Sequence, residues 1–170
     1  MKVKLAGIEK NSVVDGPGLR SVVFAQGCPH HCPGCHNPQT LDPEGGTWYN
    51  LDELAAELCA DNSVRGITFS GGEPFRQAGA FAALAAYLRE RKLEILIYSG
   101  YTYEGLLAKA TGDPDIEKLL AAGDILIDGP FIVEERDPSL AYRGSRNQRV
   151  IDLKQTSLKG EVVLSPLHYR

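Results

Sequence analysis

Short apolar runs alternate along this chain with stretches in which apolar residues return at helical spacing. Residues 19–25, 66–70, 94–98, 124–128 and 149–153 read as strands, each a brief run rich in Val, Ile, Leu or Phe. Leu51, Leu54, Ala55, Leu58 and Cys59 form one apolar stripe of a helix over 50–60, with Asn50 as N-cap and Glu53 as its capping-box partner. A second, Ala-rich helix over 77–91 puts Phe81, Leu84, Ala85 and Leu88 on one face, and further helical patterns cover 103–110 and 114–122. Residues 41–49, with Pro43, Gly45 and Gly46, read as a surface loop.

Apolar strands separated by helices predict a parallel sheet of right-handed βαβ units. So few units fall short of a closed eight-fold barrel, which needs roughly 250 residues. The expectation is therefore an α/β fold, a partial (open) βα barrel with a parallel sheet. No repeat, linker or low-complexity tract divides the chain, so its 170 residues are expected to form one domain, 1–170.

Composition narrows the function classes. The chain is 43% hydrophobic and 24% charged, and 18 Lys+Arg against 22 Asp+Glu leave a net charge of −4. Broad nucleic-acid binding is not indicated by that balance. Neither a signal-peptide core nor an apolar run approaching the roughly 20 residues of a membrane span is present, so a soluble, cytoplasmic protein is expected.

The chemistry begins where the first strand ends. Cys28, Cys32 and Cys35 form a CxxxCxxC triplet, in which Pro29, Pro33 and Gly34 exclude helix and strand and wrap the chain around one site. Thiolates suit iron–sulfur clusters, zinc or copper(I). Three of them are one short of a full [4Fe-4S] ligand set and leave an iron open to a small molecule. The alternative is a zinc knuckle completed by His30, His31 or His36, but no second CxxC or HxxxH pair follows, only Cys59 and His168. Cys59 belongs to the apolar stripe of its helix and is expected to be a core thiol, with a fourth cluster ligand as the minor alternative. His30 and His31 are expected to face solvent or a partner rather than a metal.

The remaining strand ends are equally unusual: Ser70-Gly-Gly-Glu-Pro74, Ser99-Gly-Tyr101 and Asp128-Gly-Pro-Phe131. Working groups in such folds sit at these edges. Gly71 and Gly72 would open backbone groups to a ligand and Glu73 would accept a hydrogen bond from an ammonium group. The ordinary alternative is a tight strand-to-helix turn with a solvated carboxylate.

Together, the cysteine loop and the Gly-Gly-Glu-Pro stretch resemble the radical S-adenosylmethionine superfamily. That resemblance implies Cys28, Cys32 and Cys35 as ligands of a [4Fe-4S] cluster, S-adenosyl-L-methionine on the open iron, and Gly71, Gly72 and Glu73 facing its methionyl group. A narrower resemblance spans nearly the whole chain. Asp15-Gly-Pro-Gly-Leu-Arg20, Cys-Pro-Gly-Cys-His-Asn37, Ser-Gly-Gly-Glu-Pro74, Ser-Gly-Tyr101, Asp-Gly-Pro-Phe131 and Arg143-Gly-Ser-Arg-Asn-Gln148 are similar to the anaerobic ribonucleoside-triphosphate reductase activating proteins. These are small activases of glycyl radical enzymes, and the resemblance implies an oxidoreductase whose partners are that reductase's glycyl radical subunit and an electron donor of the flavodoxin or ferredoxin type. No acid–base residue is demanded.

One position departs from the superfamily pattern. The residue before the third cysteine is often aromatic near the adenine, and here it is Gly34; His36 is the nearest replacement, with the backbone of Gly34 to His36 also able to line that pocket. Ser99 and Asp128 are candidates for the ribose, the methionyl carboxylate or a cation, with a simple cap as the alternative for Asp128. Arg136, Arg143, Arg146 and Arg149 form a basic stretch read as a docking surface, or else a solvated loop. Competing functions are a small-molecule radical enzyme similar to the carboxy-deazaguanine synthases, an activase of another glycyl radical enzyme, and a non-catalytic metal module.

Overall fold

A computed structural model describes residues 1–170. Strands β1 (Lys2–Ser12), β2 (Arg20–Ala25), β3 (Thr47–Asn50), β4 (Gly66–Gly71), β5 (Glu94–Tyr98), β6 (Ile125–Asp128) and β7 (Arg149–Asp152) form one sheet in the order β3-β1-β2-β4-β5-β6-β7. Helices α1 (Leu51–Cys59), α2 (Ala78–Arg89), α3 (Tyr103–Ala110), α4 (Pro114–Ala122) and α5 (Leu153–Lys159) complete it. The sheet is open: β3 and β7 lie at its two ends and do not pair with each other.

The central strands β2, β4, β5 and β6 run parallel, as the βαβ pattern requires. Two expectations are corrected at the flanks. The fifth strand, β7, pairs antiparallel with β6, and β1 and β3 add an antiparallel ribbon on the other side of β2. Residues 47–49, read as loop, are part of β3. The sheet is thus mixed, parallel only at its centre.

Alternation along the strands separates two faces. Val23, Ala25, Ile67, Phe69, Ile95, Ile97, Leu126 and Ile151 point outward into a large core with the inner faces of α1, α2 and α4. Asn50 starts α1 as expected, its side chain accepting from the Glu53 amide at 3.1 Å. On the concave face a smaller cluster, Leu96, Ile125, Ile127 and Val150, fills the lower part of the half-barrel.

Arg20 closes the end of that face away from the strands' C-terminal edge. Fully buried, it donates to the Thr68 hydroxyl, the carbonyls of Pro17, Ile67 and Glu94, and the Glu94 carboxylate, so one guanidinium ties β2, β4 and β5 at their starts. No helix is long and apolar enough to cross a membrane.

Candidate active site

The cysteine loop leaves the C-terminal end of β2, where the Gly27 and Cys28 amides donate to the carbonyls of Thr40 and Leu41. His31 at φ 49° and Gly34 at φ 75° turn the chain back on itself, and the Cys35 amide closes the turn on the Cys32 carbonyl at 3.1 Å. All three thiols are half-buried and unpaired. Burial pushes the Cys28 thiol up, against the backbone amides of His30 and His31 directed at its sulfur; the nearby Glu73 carboxylate adds to the rise. A bound iron would reverse that balance by favouring thiolate. The Asn37 amide lies 3.4 Å from the Cys35 sulfur.

Cys28, Cys32 and Cys35 line one cavity of about 140 Å³ together with Gly71, Gly72 and Ser99. A larger cleft of about 540 Å³ lies on the concave face, and His36, Ser70, Tyr98, Phe131 and Gln148 border both. No three His, Cys, Asp or Glu side chains converge on a single metal ion. A cubane takes each thiolate on a different iron, and three cysteine thiols lining one cavity fit that donor set.

Close approach of backbones explains the glycines. A Cβ on Gly72 would stand 2.3 Å from the Gly27 carbonyl oxygen, and Gly71, at φ 89°, has β2 backbone within 2.8 Å of where its Cβ would be. The amides of Gly72 and Glu73 then donate to the carbonyls of Ala25 and Gly27, which carries the β2–β4 ladder into the cysteine loop.

Glu73 is placed differently from the remaining candidates. Its side chain is wholly buried and already engaged: Oε1 accepts from the Ser99 hydroxyl and Gly100 amide at 2.9 Å and meets His30 Nε2 at 2.7 Å, while Oε2 accepts from the Phe75 amide at 3.1 Å. It does not line the cavity, whose wall includes its neighbours Gly71 and Gly72 and its partners His30, Ser99 and Gly100. His30, expected to face solvent or a partner, is instead tucked into the fold, whereas His31 is exposed.

Asp128 is also committed to the fold. It is almost fully buried, receives Arg149 through Nε at 3.1 Å and Nη2 at 2.5 Å, and caps α3 by accepting from the Tyr103 amide. Arg149 also reaches Glu104 at 2.7 Å; the hydrogen bond holds the Glu104 carboxyl below its usual range, and the two acids raise the guanidinium further. The basic stretch consequently does not form one surface. Arg143 is buried with its Nη atoms on the Gln148 and His168 carbonyls, Arg149 is ion-paired, and Arg136 and Arg146 remain exposed.

The aromatic surface missing at Gly34 comes from across the cavity. Phe131, just beyond β6, lies 4.8 Å from the His36 ring, and a Cβ on Gly34 would touch it at 3.4 Å. The sequence marks Phe131 only by its place directly after a Gly-Pro strand end, a signal too weak to give it a role. Tyr98 was missed as well: its phenol, pushed up by burial, donates to the Tyr142 carbonyl at 2.6 Å and braces the cleft wall.

A half-barrel with three cysteines and paired glycines at its strand ends defines a radical S-adenosylmethionine protein carrying a [4Fe-4S] cluster. Residues 14–151 match the family model of the 4Fe-4S single cluster domain. The anaerobic ribonucleoside-triphosphate reductase-activating protein of Vibrio cholerae is 37% identical over 145 residues, covering 80% of this chain and 89% of its own length. Its namesake in Escherichia coli is 33% identical over 150 residues, covering 84% and 94%. The chain belongs to this family of activating proteins. Among solved structures, QueE from Escherichia coli shares the fold with a TM-score of 0.50 and 17% identity over 60% of this chain and 54% of its own.

Proposed function

We propose that this chain is an activase that generates a glycyl radical on the anaerobic ribonucleoside-triphosphate reductase. The observation that carries the reading is the meeting of Cys28, Cys32 and Cys35 with Gly71, Gly72 and Ser99 at one cavity that opens along shared walls to a larger cleft. Cys28, Cys32 and Cys35 would hold three irons of the cluster. The backbones of Gly71 and Gly72, with Ser99, would border the methionyl end of S-adenosylmethionine, and Gly34, His36 and Phe131 the adenine.

When bound, the cluster and S-adenosylmethionine supply one-electron reductive cleavage to methionine and a 5′-deoxyadenosyl radical able to take a hydrogen atom from a glycine. The chain's own work is to hold the two groups together, exclude water and admit a glycine-bearing loop of the partner through the larger cleft. Residues 1–170 act as one unit in this reading, in the cytoplasm, served by a flavodoxin or ferredoxin-type donor and without nucleic acid or membrane.

The test is anaerobic reconstitution and reduction, then addition of S-adenosylmethionine and the reductase. An EPR glycyl-radical doublet, with release of 5′-deoxyadenosine and loss of both in Cys32→Ala, is expected. Deoxyadenosine without the doublet would move the substrate elsewhere, and neither product from an intact cluster would overturn the radical reading.

A further inference from the structure

Residues 29–34, which lie between the outer cysteines, make no backbone–backbone hydrogen bond outside their own loop. Pro29 and Pro33 have no amide to offer. Something else must fix this segment against the sheet. The strongest tie is the His30 imidazole, whose Nε2 reaches Glu73 Oε1 at 2.7 Å.

The ring is held on several sides. It meets Tyr101 edge-on at 4.4 Å, and Lys109 lies over that tyrosine at 4.8 Å. On another side a Cβ at Gly100 would come within 2.4 Å of the imidazole, so only glycine lets the ring in. The receiving oxygen also binds the Ser99 hydroxyl and the Gly100 amide, and its carboxylate starts the turn after Gly72. One buried atom therefore joins the cysteine loop, the end of β4 and the end of β5. A buried carboxylate is retained only when its oxygens are satisfied, and here all the donors come from the protein.

We propose that His30 is a positioning residue, a latch that fastens the cysteine loop to Glu73 and so holds the three thiols in register with Gly71, Gly72 and Ser99. Glu73 serves the ligand indirectly, as the junction that sets those backbones. The latch is a property of the folded chain. Its effect on S-adenosylmethionine rests on the function proposed above.

The experiment has two parts and three variants of the full chain. In the metal-free protein, alkylation of each cysteine by iodoacetamide is followed by mass spectrometry. Loss of a hydrogen bond to a buried charge predicts labelling of Cys28, Cys32 and Cys35 about tenfold faster in His30→Ala, with Cys59 on α1 unchanged as internal control. His30→Gln, which keeps a donor at nearly the same reach, should return close to the wild-type rate, and Gly100→Ala, which expels the ring without altering it, should behave as His30→Ala.

In the reconstituted, reduced protein, the change of the cluster EPR spectrum is titrated with S-adenosylmethionine. Weakening by about tenfold at unchanged iron content, restored by His30→Gln, is expected. Equal labelling and equal affinity in His30→Ala and Gly100→Ala would overturn the latch. If Cys59 also becomes reactive in His30→Ala, the fold has opened, and His30→Gln against Gly100→Ala decides. A wild-type protein that gives no response to S-adenosylmethionine would remove the functional reading, while the labelling rates still judge the latch.

Discussion

Gly72 shows how little freedom single positions have at this site. Just past β4, a Cβ on it would stand 2.3 Å from the Gly27 carbonyl oxygen, and the atom it would meet is backbone rather than a flexible side-chain end. Gly72→Ala is therefore expected to destabilise the protein by about 1–3 kcal/mol, the usual cost of overpacking a fixed site. Gly7→Ala, where the new methyl meets nothing within 4 Å, is the control and should leave the denaturation midpoint unchanged. Equal midpoints for the two variants would show that the β2–β4 approach yields easily.

Asp124 performs the corresponding role among elements. Just ahead of β6, it accepts from the Ile95 amide of β5 at 2.8 Å and pairs with Arg89 of α2 and Lys154 of α5. Burial alone would raise its carboxyl, but the amide and the two cations outweigh it and hold it below the usual carboxylate range. The sign follows directly. With the folded value below an unfolded one near about 3.9, the stabilisation is complete above that pH and is lost as pH falls through the folded value. Urea unfolding of Asp124→Asn should show a deficit of about 1–3 kcal/mol at neutral pH that shrinks in acid, whereas a constant deficit would deny the ionised form its part.

Elements also mark what the sequence could disclose. The four central strands and α1 to α4 were legible because burial on both sides makes β2, β4, β5 and β6 apolar runs and the helices show clear stripes. β1 escaped notice although Lys2 and Lys4 alternate with the buried Val3 and Leu5, because the alternation stops at Ala6-Gly7 and the polar run Glu9-Lys10-Asn11-Ser12 looks like loop. The antiparallel direction of β7 depends on where the chain returns after β6, which local pattern does not encode. The cysteines and glycines were readable from spacing, but the partners of Glu73, Asp128 and Arg149 were not, since each lies far away along the chain.

At the scale of the molecule, Arg20 and the candidate site occupy opposite ends of the same parallel strands. Removing a fully buried guanidinium leaves the Pro17, Ile67 and Glu94 carbonyls without their donor and the Glu94 carboxylate with only Arg65, so Arg20→Ala is expected to cost about 3–5 kcal/mol in denaturant unfolding. The folded fraction should still take up iron as the wild type does, because no residue around Arg20 lines the cysteine cavity. Iron uptake lost in proportion beyond the unfolded fraction would mean that the two ends are mechanically coupled.

The cavity wall draws on Cys28 to His36, then Gly71 and Gly72, then Ser99, and finally Phe131 and Gln148. During synthesis the cysteines leave the ribosome first, and the surfaces that enclose them come last. The nascent loop thus spends most of translation as three open thiols with no pocket to occupy, and Phe131 and Gln148 must have emerged before the enclosure is whole. An enclosure that chain order completes last leaves the three thiols open to oxidants until Phe131 and Gln148 are in place.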